Sequence, residues 1–236
     1  MKLAIMQPYL FPYLGYYQLI SAVDHFVVLD DVTFIKQGWI NRNRILSDGG
    51  AFTFTVPLRG AGSHVRIDEI AVSAREYPRW RERFLRTLRQ NYRKAPHFDA
   101  VMSLIDAVFC PPGARILIRD LATESLRVVM RYLGLPFRHS FSSMYAKPDD
   151  VRGADRVMFL CHALGASAYY NAPGGRDLYD RRRFAREGIE LRFVVPRRIE
   201  YPQGRGAHVA NLSMLDVLMF NNRAAVRSML GEYDLE

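Results

Sequence analysis

The sequence predicts an α/β fold on a mostly parallel sheet, in one domain spanning residues 1–236, with a helical subdomain inserted over 73–135. Three observations predict it. A strand, a proline-rich loop, a helix and a second strand follow one another within about 30 residues. Three helical patterns then run in succession between 73 and 133. After residue 146, strands and helices alternate again. Alternation of this kind builds parallel sheets covered by helices.

The first strand is the apolar run at 3–6, which Gln7 and Pro8 end, because proline cannot extend a central strand. Pro12 suits the start of a helix reaching Ala22. Residues 26–29 read as a buried strand closed by Asp30 and Asp31. Between 33 and 56 the pattern gives polar-aromatic turns and one strand at 51–56, with another candidate at 65–72. Ser73 and Glu76 have the spacing of a capping box ahead of a helix carrying Trp80, Phe84, Leu85, Leu88 and Tyr92 on one stripe. Its other face is basic. A second helix is expected from 97 to 109, stopped by Pro111, Pro112 and Gly113, and a third from 115 to 133, stopped by Gly134 and Pro136. Beyond these, helices are expected at 155–164, 178–187 and 212–220, and strands at 168–170 and 189–195.

Hydrophobic residues make up 49% and charged residues 24% of the chain, a globular balance that excludes disorder and coiled coil. The net charge is +9, and arginine supplies nearly all the positive charge: the chain has 29 Arg and 4 Lys. Guanidinium forks bind phosphate and carboxylate, so a small anionic substrate or an acidic carrier protein is the expected partner. Two cysteines, Cys110 and Cys161, make no disulfide framework, and no spacing of Cys or His reads as a metal site. No run is long and apolar enough for a membrane span, and the expected location is cytoplasmic.

Four constellations carry candidate chemistry. The string MQPYLFPYLGYYQ at 6–18 places Gln7, Tyr9, Tyr13 and Tyr16 just past the first strand. Asp30 and Asp31 follow the next strand. In open α/β sheets the ligand crevice lies outside these carboxyl ends. The string KQGWINRNR at 36–44 offers Lys36, Trp39, Asn41 and Arg42, either as anchors for a phosphate or carboxylate or as a structural turn with a buried indole. The string YNAPGGRDLY at 170–179 brings Asn171, Gly174, Gly175 and Tyr179 to a strand–turn–helix junction, which suits an anion or serves as a tight turn. Gln203 and His208 precede the last helix, which Ser213 or Asn211 is placed to cap.

The opening segment resembles the nucleotidyltransferases whose signature is His-x-Gly-His. Tyr13 and Tyr16 stand where those histidines would be, so the resemblance implies a Rossmann-like architecture and not the adenylylation chemistry. Across nearly the whole chain, the strings at 6–16, 38–43, 174–179, 201–203 and 212–216, with Asp30, Asp31 and Asn221, resemble the WbqC-like family. That resemblance implies a role in surface polysaccharide (O-antigen) or secondary-metabolite biosynthesis, through transfer of glycine or another aminoacyl group onto a sugar amine.

The leading expectation is therefore an acyl or aminoacyl transferase that forms an amide. Its donor would be a thioester of coenzyme A or of an acidic acyl-carrier protein. Asp30 or Asp31 is the candidate base, provided the crevice raises its pKa. Gln7, Asn41 and Tyr13 are candidate donors to the oxyanion, and Lys36 and Arg42 candidate anchors. Two alternatives stand beside it: a nucleotide-binding transferase with a degenerate signature, and a non-enzymatic carrier- or nucleic-acid-binding module using the basic helix. Scattered arginines and the lack of a nucleic-acid motif make nucleic acid the least favoured partner.

Overall fold

The computed structural model describes every residue except 49, 110–115, 149 and 205. Cys110, the expected stop at 111–113 and the expected first residue of the third helix lie outside the described residues.

Six strands form the central sheet. β1 (Lys2–Met6) pairs in parallel with β2 (His25–Val28), and β2 with β7 (His139–Phe141). On its other side β1 pairs in parallel with β8 (Ala168–Asn171), and β8 with β9 (Glu190–Pro196). An antiparallel β10 (Tyr233–Leu235) closes that edge, giving the order β10-β9-β8-β1-β2-β7. The chain winds outward from β1 toward β7, then returns and winds the other way from β8. The order therefore reverses between β1 and β8.

The period-two alternation of strands distributes side chains to two cores. Ala4, Phe26, Val28 and Tyr170 face one. Leu3, Ile5, Val27 and Tyr169 face the other. The first core is covered by α1 (Leu14–Ser21), α2 (Tyr77–Tyr92), α3 (Phe98–Phe109), α4 (Ile118–Tyr132), α7 (Met214–Phe220) and α8 (Arg223–Met229). The second is covered by α5 (Gly153–Ala163) and α6 (Arg181–Arg186), through residues such as Leu160, Cys161 and Phe184. Among the described residues, no helix is long and apolar enough to cross a membrane.

Several local expectations need correction. The capping box is not formed: α2 starts at Tyr77, and Ser73 accepts from the amides of Glu76 and Tyr77 through its backbone carbonyl. Pro78 in the first turn supplies the start instead. The stretch around 42–47 is not a turn but β3 (Arg42–Ser47), the partner of β4 (Gly50–Thr55) in an antiparallel hairpin. The candidate strand at 65–72 shrinks to β6 (Ala71–Val72), paired with β5 (Leu58–Arg59), after a short turn of 3₁₀ helix. The expected helix at 178–187 begins only at Arg181, where the Asp180 carboxylate caps the Arg182 amide. Ser213 does cap α7, accepting from the Leu215 amide. β7 and β10 are edge strands of three residues each, too short to show in the pattern.

Candidate functional site

The loop between β1 and α1 is locked from three directions. Tyr16 Oη donates to the Gln7 carbonyl at 2.6 Å. Asn43 Nδ2 donates to the carbonyls of Leu10 and Phe11, at 3.0 and 2.8 Å. Ser213 Oγ donates to the same Phe11 carbonyl at 2.7 Å. These bonds hold Phe11 at φ 41°, a left-handed value unusual for a non-glycine residue. Tyr16 is thus a buried strut rather than a group open to substrate. Gly15 lets α1 approach β9, since a Cβ there would lie 2.7 Å from Pro196.

Gln7 and Asp31 face one cleft of about 730 Å³, at the carboxyl ends of β1 and β2. Four cationic side chains line it: Arg66, Lys147, Arg152 and Arg156. Asp31 is the single carboxylate among its lining residues. Tyr179 reaches it from the turn after β8. Lys147 follows β7, and Arg152 and Arg156 belong to the start of α5, so the cationic wall is built by the β7–α5 connection.

Asp31 is tied to that wall. Lys147 Nζ lies 2.5 Å from Asp31 Oδ2 and also donates to the carbonyls of Ser142 and Tyr145. Arg156 Nη1 reaches the Asp31 carbonyl at 3.2 Å and its carboxylate at 3.4 Å. Burial raises the Asp31 carboxyl. Hydrogen bonds from Lys147 and Ser142, and the charges of Lys147 and Arg156, outweigh it and hold the group below the ordinary carboxylate range. The sequence reading required a carboxyl raised by the crevice. This crevice lowers it, so Asp31 is a weak base and a strong partner for cations.

Asp30 is fully buried and points away from this role. Arg119 Nη1 lies 2.6 Å from its carboxylate. Ser143 donates to it from N at 2.9 Å and from Oγ at 2.7 Å. Ser142 Oγ lies 3.0 Å away and also within hydrogen-bonding distance of Asp31. As a candidate base Asp30 is corrected to a structural carboxylate: its lone pairs are taken, and it does not line the cleft.

The remaining candidates divide. Tyr9, Tyr13 and Trp39 line a second cavity, on the other side of the loop. Asn41 is buried, with Nδ2 donating to the Val56 carbonyl at 2.8 Å, which removes it from the oxyanion donors. Arg42 clasps its own turn, Nε to the Gly38 carbonyl at 3.0 Å, and stacks over Trp39. Lys36 is exposed on that turn, away from the lining of the cleft. Asn171 Oδ1 accepts from the Ala172 amide at 2.8 Å, and a Cβ at Gly175 would collide with the Asn171 amide. This pair shapes the turn after β8, where Gly174 is exposed. Gln203 is buried against Asp216, 2.8 Å from Nε2 to Oδ2. His208 packs edge-on against Tyr201 beside a third cavity.

Sequence reasoning missed Arg66, Lys147, Arg152 and Arg156. They carry no shared motif, and only the path of the β7–α5 connection brings three of them to the end of β2.

These features define an α/β protein with a cationic cleft at the strand ends. The chain belongs to the WbqC-like protein family, whose model matches residues 7–228. It is similar to "Uncharacterized protein Rv1507c" of Mycobacterium tuberculosis (strain ATCC 25618 / H37Rv), with 31% identity over 225 residues, covering 93% of each chain. No solved structure matches it.

Proposed function

We propose that this protein is an acyl or aminoacyl transferase that forms an amide, taking its donor as an anionic thioester in the cationic cleft. One observation carries the reading. Gln7 shares its cleft with four cations, of which Asp68 pairs Arg66 and Asp31 pairs Lys147 and Arg156, so the cations outnumber the carboxylates that hold them. Net positive charge in a concave site of ligand size favours a phosphate-bearing donor. Among the described residues Arg152 forms no ion pair and Arg156 Nη2 makes no hydrogen bond, so both are the leading anchors. Gln7 has no side-chain hydrogen bond to a described residue, which suits an amide N–H meeting a developing oxyanion.

In this reading the amine nitrogen attacks the thioester carbonyl. The C–N bond forms, the C–S bond breaks, and the departing thiolate takes the proton released from nitrogen. Asp31 serves by fixing Lys147 and Arg156, not by taking that proton. The test is release of free thiol from aminoacyl- and acetyl-thioesters of coenzyme A, measured with and without an amine. Amine-dependent thiol release that falls at least tenfold in Arg156→Gln supports the reading. Release at the uncatalysed rate overturns it.

A second reading has its own support. Counted from β1, the five parallel strands have the order 3-2-1-4-5, that of the Rossmann-like dinucleotide folds, with the reversal beside Gln7. It makes the anionic ligand a nucleotide. Calorimetric titration with ATP and CTP against coenzyme A decides between the two.

A further inference from the structure

Just beyond Gln7 in the chain, Tyr9 lines a second cavity of about 430 Å³, the size of a small organic ligand. Its walls differ from those of the cleft. The rings of Tyr9, Tyr13 and Trp39 supply most of the apolar surface, together with three prolines, and Trp39 is 37% exposed. Rings and pyrrolidines side by side favour a flat apolar guest, through offset or edge-to-face contact.

One charge stands in this cavity, and it has no counter-ion. Arg44 is the single charged residue of the lining, and among the described residues it forms no ion pair. Arg119 and Arg156, also half-buried, each meet a protein carboxylate. Arg44 Nη2 donates only to the neutral Asn211 carbonyl, at 3.2 Å. Its Nε is buried with no hydrogen-bond partner, and its Nη1 makes no hydrogen bond to a described residue. The guanidinium lies 5.7 Å from the Trp39 ring centroid, and that of Arg42 lies 5.4 Å from the same ring. Two cations already share this indole, so a ligand ammonium is disfavoured. The other polar groups do not alter that balance. Burial pushes the Tyr9 and Tyr13 hydroxyls up, so both stay protonated and able to donate. The Asn43 amide is committed to the loop carbonyls.

We propose that this cavity is a binding site for a small ring-bearing carboxylate, with its carboxylate against Arg44 and its ring among Tyr9, Tyr13 and Trp39. The number of charges sets the class. One guanidinium matches one negative charge, whereas four cations suit a phosphate-bearing ligand in the cleft. The two sites share no lining residue, so the inference goes beyond the amide-forming reading and stands without it.

Trp39 is a reporter for this site, because the chain's other tryptophan, Trp80, is buried and lines no part of the cavity. Titration of the intact protein with phenylacetate, phenylacetamide and phenethylamine, followed by calorimetry and tryptophan fluorescence, separates the ring from the charge. Phenylacetate is expected to bind with a Kd at or below about 1 mM and to change the Trp39 emission. The neutral amide should bind at least about tenfold more weakly, and the cation more weakly still. Arg44→Gln should bring phenylacetate down to the affinity of the amide. Binding of the amide itself should stay within about twofold in that variant, which reports that the ring walls are intact. Trp39→Phe should remove the emission change. Arg152→Gln, in the cationic cleft, should leave phenylacetate binding unchanged. Equal affinity for carboxylate and amide overturns the proposal, as does phenylacetate binding that survives Arg44→Gln or is lost in Arg152→Gln. No binding of phenylacetate by the native protein up to about 1 mM also overturns it.

Discussion

Asp31 and Lys147 form a buried ion pair, 2.5 Å from Oδ2 to Nζ, with each side chain only 7% exposed. The pair joins the end of β2 to the segment after β7. Breaking a buried pair from one side leaves an uncompensated charge, at a cost of about 3–5 kcal/mol. Lys147→Met should therefore destabilise the fold by about 3 kcal/mol in urea titration. Combining it with Asp31→Asn should recover about 1–3 kcal/mol of the summed loss, because the two sites are in contact.

Asp30 and Asp31 separate by experiment as they do in space. Asp30→Asn removes the nearer of the two carboxylates paired with Arg119, Asp120 being the other, and should cost about 1–3 kcal/mol of stability through the lost charge-assisted hydrogen bonds. It should leave the affinity of the cleft for coenzyme A within about twofold. Asp31→Asn, which frees two cations in the cleft, should tighten that affinity. Equal effects of the two substitutions on ligand binding would contradict this division.

The pH dependence of stability contains two opposing carboxylates. The Asp31 carboxyl is depressed, so its contribution is complete above the unfolded value of about 3.9 and is lost as pH falls through the lower folded value. Burial pushes the Asp216 carboxyl up, against hydrogen bonds from Tyr92, Tyr201 and Gln203. Its contribution is complete below about 3.9 and is lost as pH rises through the higher folded value. In denaturant titrations across this range, Asp31→Asn should flatten the acid-side fall. Asp216→Asn should flatten the decline toward neutral pH.

Gly175 is required by close approach. A methyl group there must displace the Asn171 amide, whose oxygen accepts from the Ala172 amide. Gly175→Ala should cost about 1–3 kcal/mol. Gly174→Ala, with open space around its Cα, should cost under about 0.5 kcal/mol.

The parts of this fold written locally were legible. Pro8 and Pro12 punctuate β1 and α1, and the apolar runs of β1, β2 and β9 need no tertiary knowledge. Strand-end logic brought Gln7 and Asp31 toward one edge, and both line the same cleft. The alternation of side chains implies that adjacent Asp30 and Asp31 face different ways. Which of them faces the ligand depended on Arg119 and Lys147, at positions far away in the chain. The cationic wall was illegible for the same reason. Arg152 and Lys147 look like any surface cations until the β7–α5 connection carries them to β2. The roles of Asn41 and Arg42 also changed, because their partners are backbone carbonyls, which no sequence pattern shows.

The most direct measurement is calorimetric titration of the intact protein with coenzyme A, at two salt concentrations, beside Arg152→Gln and Arg156→Gln. The cationic cleft predicts saturable binding that weakens with salt and falls about tenfold in each variant. Binding that neither substitution changes, or no binding by the native protein, would contradict the assignment of this cleft to an anionic donor.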